Sequence, residues 1–138
     1  MKIHISNKKK IAALQEEFNH LFPFLRLEFF SKPHYSYEGN SRKYLISDSK
    51  TIGDCSKAHQ RSTISITPGM KVEELEKIFQ DIFGLFVQVF RQSGKVWLET
   101  TMTDDWTLAE QNKQGEELSK HRQEKEKPFS AEDYRDVE

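Results

Sequence analysis

The chain has 138 residues, 36% of them apolar and ten of them Phe, with 21 Lys and Arg against 22 Asp and Glu. No run of eighteen apolar residues is present to make a membrane-spanning helix, and the single cysteine, Cys55, excludes an internal disulfide. The near-neutral total hides an asymmetry: residues 1 to 61 carry 11 Lys and Arg against 6 Asp and Glu, and residues 62 to 138 carry 10 against 16. Neither block is as dense as a dedicated nucleic-acid domain requires, so solvation or pairing between the halves is the expected use of these charges.

Met1-Lys2-Ile3-His4-Ile5 runs into Lys8-Lys9-Lys10 without the apolar stretch of a signal peptide, and the expected compartment is cytoplasmic. Lys2 to Ser6 reads as a short strand with Ile3 and Ile5 on one face. Ser6 or Asn7 is placed to cap a helix whose Ile11, Leu14, Phe18 and Leu21/Phe22 recur at helical spacing, with Pro23 to end it. Phe24 to Phe30 alternates, with Leu25, Leu27 and Phe29 inward and Arg26 and Glu28 outward. Strand, helix and strand in this order predict a parallel pair joined by a right-handed crossover.

Residues 31 to 61 are polar and punctuated by Pro33 and Gly39; Tyr44-Leu45-Ile46 suits an edge strand and Thr51 to His59 a turn of helix. A second unit of the same form follows. Ser62 to Thr67 is a strand, Pro68 stands at a plausible first helical position, and Met70, Leu75, Ile78/Phe79 and Ile82/Phe83 form the stripe that Gly84 closes. The strand Leu85 to Phe90 comes next. The two units look alike in form, with Phe-Pro-Phe-Leu-Arg-Leu-Glu-Phe in one and Phe-Gly-Leu-Phe-Val-Gln-Val-Phe in the other. Val96 to Thr100 returns as a hairpin strand. Thr107-Leu108-Ala109-Glu110, just after Trp106, is a capping-box pattern opening a third helix with a thin apolar stripe.

The expected fold is α+β: a two-layer, ferredoxin-like arrangement of two βαβ units, with an added C-terminal hairpin strand and a third helix on or beside the sheet. Residues 1–123 form one domain with 31–61 inserted between the units, and 124–138 form a flexible charged tail.

The hairpin is the most informative stretch. Leu85, Val87, Val89, Val96 and Leu98 make an ordinary core face, which leaves Phe86, Phe90 and Trp97 opposite, where something must cover them. Trp106, Leu108 and Leu118 of the third helix are placed to do so, as is a second copy pairing through its own hairpin. Gly84-Leu85-Phe86-Val87-Gln88-Val89-Phe90 also resembles the RNP1 strand of RNA-recognition domains, and the resemblance implies rings that stack on bases. It covers this one strand, which here follows its helix, lacks the basic start and has no second aromatic motif. A stacking surface would comprise Phe86, Phe90 and Trp97, flanked by Arg91 and Lys95 and assisted by Lys43, Lys57 or Arg61; the binding surface expected for any partner is Phe86, Phe90, Trp97 and Trp106 with Arg91 and Lys95.

Two smaller groups bear chemistry. Cys55 and His59 share a face if residues 54 to 60 are helical, which would make a thiol with a neighbouring base. Asp104 and Asp105 are weak candidates for a hard cation, though either serves equally to favour a helix start. No phosphate loop, dinucleotide fingerprint or zinc-protease pattern occurs, and no cofactor is expected. The functional expectation is a small non-enzymatic binding domain whose partner is a protein or a second copy. The alternatives are single-stranded nucleic-acid binding on the aromatic face and a Cys/His-dependent enzyme.

Overall fold

The computed structural model describes residues 1–32, 42–56, 62–100 and 103–123. Five strands and four α-helices follow in order: β1 (Lys2–Ile5), α1 (Ile11–Leu21), β2 (Leu25–Phe30), α2 (Ile52–Cys55), β3 (Ser62–Ser65), α3 (Val72–Phe83), β4 (Phe86–Ser93), β5 (Val96–Glu99) and α4 (Leu108–Gln123). A 3₁₀ turn, Arg42–Tyr44, precedes α2. The architecture is mixed α+β.

Its ladders are antiparallel. β1 pairs with β3, and β2, β4 and β5 form a three-stranded sheet in that order. The predicted parallel pairing of β1 with β2 is therefore replaced: each strand of the first half pairs with its own counterpart in the second. Of a ferredoxin-like order, these ladders contain the β1–β3 pairing, whereas β2 pairs with β4.

The equivalence of the halves is visible in the register. Ile3 faces Ile64 and Leu27 faces Val89, so equivalent residues oppose one another across both ladders, as they do about a local two-fold axis. The sequence offset is 61 for the first strand and becomes 62 at the second, because α1 has 11 residues and α3 has 12. The alignment of Phe22 with Phe83 holds within the helices, but extending it into the strands would set inward Leu25 against outward Phe86. The extra residue in α3 restores the alternation.

Buried pairs follow this correspondence: Ile5 and Ile66, Ile11 and Val72, Leu14 and Leu75, Phe18 and Phe79 all belong to one continuous core, as do Ile52 and Leu108 at the starts of α2 and α4. Phe29 meets Phe79 edge-on at 5.6 Å between ring centroids, a contact that joins the halves and contributes about 1 kcal/mol beyond its area.

The helix starts differ from the sequence reading, for one physical reason. Neither Ser6 nor Asn7 caps α1, and Pro68 does not open α3; the helices begin at Ile11 and Val72, behind turns, without side-chain caps. Instead, Ile11 and Ala12 donate their N–H groups to the carbonyls of Lys50 and Asp48, while Ile52 and Gly53 at the start of α2 donate to those of Lys9 and Asn7. The second half repeats this bond for bond: Val72 and Glu73 donate to Trp106 and Asp104, and Leu108 and Ala109 donate to Met70 and Pro68. Two helix starts thus satisfy each other through their approach segments, at groups that would cost about 1–3 kcal/mol each if buried unpaired. Both partners also carry a capping box, Thr51 with Asp54 and Thr107 with Glu110.

The free edge of β2 is closed as well. Gln15 and Asn19 of α1 donate to the carbonyls of Leu27 and Leu25 at 2.7 and 2.9 Å, and the Ile46 N–H reaches Phe29 at 2.8 Å. Tyr44-Leu45-Ile46 is therefore the predicted edge segment, bridging Phe30 through Leu45. It lies against β2 as β5 lies against β4. The described part of 31–61 completes the first half rather than merely separating the two. The hairpin turn is Gly94-Lys95, with Gly94 at φ 66°.

Candidate functional site

The side chains singled out in the hairpin go to different places. Alternation sends Val87, Val89 and Arg91 to the inner face and Phe86, Phe90 and Gln92 to the outer one. α4 packs on the inner side, against the far end of β4. The Arg91 Nη1 donates to Gln111 Oε1 at 2.8 Å, and Trp106 lies over the guanidinium at 5.8 Å. Leu108 enters the inner core. The third helix thus does not cover Phe86, Phe90 and Trp97 as expected. Arg91 and Trp106 form a pair of their own, apart from those rings.

The outer face is nevertheless no open platform. Phe90 is fully buried, as are Gln88 and Glu99, and Glu28 is nearly so. Phe86 and Trp97 are half-buried, Lys95 is exposed at the hairpin tip, and the two rings lie at opposite ends of β4. Trp97 faces Gln92, so roughly 20 Å of strand separates it from Phe86. Trp97 lines a shallow hollow of about 280 Å³ with Arg26, Gln15, Glu16 and Asn19. Next to it, Glu28 holds Arg26 at 2.6 Å; burial pushes the Glu28 carboxyl up from its ordinary range, against the pull of that guanidinium.

Phe86 lies elsewhere, in a groove of about 510 Å³ at the end where β2 finishes and β4 begins. Phe30, Ile46, Leu85 and Phe86 supply apolar walls, Ser31 and Gly84 the backbone between them, and Lys50, Asp54 and Cys55 the α2 side. Gly84 makes the bend from α3 into this wall as a left-handed cap at φ 64°. Leu45, beside Ile46, is 45% exposed; apart from Met1 it is the one large apolar side chain left exposed among the described residues. Two sequence candidates, Phe86 and Cys55, therefore share one groove.

As chemistry, the Cys55 side is quiet. Burial pushes its thiol up from the ordinary value, outweighing the nearby Lys50, and so away from a thiolate. Its proposed partner, His59, lies outside the described residues. Asp54 is held low by the Thr51 N–H and hydroxyl, which commits it to capping. Asp104 is largely buried, with its carbonyl engaged by Glu73, while Asp105 is exposed. Among the described residues no three His, Cys, Asp or Glu side chains are placed to hold a metal ion.

Leu45, Ile46, Leu85 and Phe30 were not among the site residues expected from sequence, the first three being read there only as edge-strand or core residues. The available signal was Phe29-Phe30, two rings in succession at a strand end, which means that both faces are covered there. No family model, curated protein or solved structure matches this chain. No helix among the described residues is long and apolar enough to cross a membrane.

Proposed function

We infer that this is a non-enzymatic domain that acts by binding another protein, and that the Phe86 groove is the surface it uses. One observation carries the reading. Among the described residues an apolar groove, one wall of which is Ile46 next to exposed Leu45, persists although nearly all other large apolar side chains are at least half-buried, even at the centre of the outer sheet face. Nucleic-acid stacking draws less support, because its rings are divided between two hollows and Arg91 turns to the opposite face. A thiol enzyme draws less still, given the direction in which Cys55 is shifted.

The test compares the full-length chain, Phe86→Lys and the surface control Lys95→Glu as baits in the cells that make the protein, with partners quantified by mass spectrometry. A protein retained by wild type and Lys95→Glu but lost by folded Phe86→Lys is the expected result. Identical sets from all three baits, or a single-stranded oligonucleotide whose binding Trp97→Ala abolishes, would overturn the reading.

A further inference from the structure

The β2–β4 ladder has two ends, and the two halves of the chain build the same seat at each. α4 occupies the one where β2 begins and β4 finishes. There the Phe24 N–H donates to Asn112 Oδ1 at 2.9 Å, and Ser119 Oγ accepts from the Gly94 N–H at 3.2 Å. Gly115 lies so close that a Cβ on it would stand 2.9 Å from Phe24 Cβ and 3.1 Å from Arg91 Cγ. A helix fits this seat only by being bare at that point.

The other seat follows from the correspondence of the halves. α2 starts as α4 starts, so Cys55 and Ser56 stand where Gln111 and Asn112 stand. Ser56, like Asn112, reaches the helix–strand corner of the other half, its Oγ donating to the Phe83 carbonyl at 2.6 Å. Phe86 takes the place of Phe24, and Phe30 that of Gln92. Cys55, Phe86 and Phe30 line the 510 Å³ groove. α2 ends there at Cys55, with Ser56 as its extended C-cap, whereas α4 continues from Asn112 to Gln123.

We propose that the groove receives an amphipathic helix of a partner protein, lying along the axis that α4 takes in the second half; this rests on the protein-binding reading above and names its partner's form. The walls define the chemistry. Where α4 presents Gly115 and Ser119, the incoming helix presents large apolar side chains to Phe30, Ile46, Leu85 and Phe86, with exposed Lys50 pairing an acidic group at the rim. A second copy has no such helix to give among its described elements: α1 and α3 spend their apolar stripes on the core, and α4 fills its own seat.

The probes are two displayed peptide libraries of about 14 residues, four helical turns. One fixes Leu, Ile or Phe at helical spacing, and the other fixes them in strict alternation. The full-length, ¹⁵N-labelled chain is the target. Binders from the helical set are expected to shift the amides of Phe30, Ser31, Ile46, Cys55 and Gly84 to Phe86. They should weaken about tenfold or more with Phe86→Lys, and likewise with Cys55→Trp, which fills the groove and keeps Phe86. Binders from the alternating set alone, pairing at Leu45, would end the helix proposal and leave protein binding standing; none from either set would count against both. A dimer lost in Phe86→Lys, or nuclear Overhauser contacts from residues 124–138 to Phe86 in the free chain, would overturn the proposal by naming another occupant.

Discussion

The two halves of this molecule begin alike and finish differently. Each has a strand, a helix whose first amides bond to a later segment, a second strand with an antiparallel neighbour, and a capping box that starts another helix. In the second half the neighbour returns after the two residues Gly94-Lys95, and the helix runs for 16 residues; in the first, the neighbour is Tyr44-Leu45-Ile46 and the helix stops after four. The reciprocal helix starts are common to both, so they specify the fold, while what lies beyond them is free to vary. The shortfall of α2 relative to α4 is what leaves a groove.

That comparison breaks first at the shared core. Leu27 faces Val89 across the ladder at the point where the halves meet, and both are fully buried. Leu27→Ala is expected to cost about 3 kcal/mol in urea unfolding, and the whole chain should still melt in one transition. Two separate transitions would mean that the halves are independent units, contrary to their common core.

Gly115→Val sharpens the contrast between the seats. A side chain there meets Phe24, Arg91 and the Gln92 carbonyl, so a loss of roughly 1–3 kcal/mol and increased amide exchange along α4 are expected. Cys55→Val, beside the open groove, should change stability by less than half as much. Equal losses would show that the first seat is as tightly filled as the second.

A smaller, matched effect belongs to the capping boxes. Thr51→Ala and Thr107→Ala should each cost about 1 kcal/mol, because the two hydroxyls accept from Asp54 and Glu110 with the same geometry, 3.2 and 3.1 Å. A large difference between them would mean that the short helix is held by other means.

The smallest effect is one of pH. The folded-state pKa of Glu28 lies above its unfolded value through burial, so the native chain holds this proton to higher pH. The resulting stabilisation is complete below the unfolded value and is lost as pH rises through the folded one. Glu28→Gln should therefore match wild type in acid and gain stability relative to it at neutral pH, measured as Tm across that range. A variant less stable at neutral pH would show that the Arg26 pair outweighs burial.

Much of the frame was legible in the sequence. Alternation placed Leu25, Leu27 and Phe29, helical spacing placed both long core helices, and Thr107 with Glu110 announced α4 before its length was known. Strand partners were not legible: period-two patterns fix which face a residue takes but not which strand lies beside it, so antiparallel pairing of counterparts remained hidden behind the usual parallel crossover. The helix starts were misplaced because their first amides are satisfied by carbonyls about thirty to forty residues away, which no local capping motif reports. α4 looked weak because its stripe is small and polar. Gln111, Gly115 and Ser119 recur every fourth residue, and all three are buried. The candidate groove was half visible, through Phe86 and Cys55; its other walls come from a strand end and an edge segment that only the tertiary fold brings together.

Amide hydrogen exchange at the four helix starts tests the equivalence of the halves most directly. Ile11, Ala12, Ile52 and Gly53 should be protected to a degree comparable with Val72, Glu73, Leu108 and Ala109, since each donates to a distant carbonyl at 2.8 to 3.1 Å. Protection in the second set with free exchange at Ile52 and Gly53 would contradict the account, because α2 would then not be the counterpart of α4 and the groove beside it would not be a helix seat.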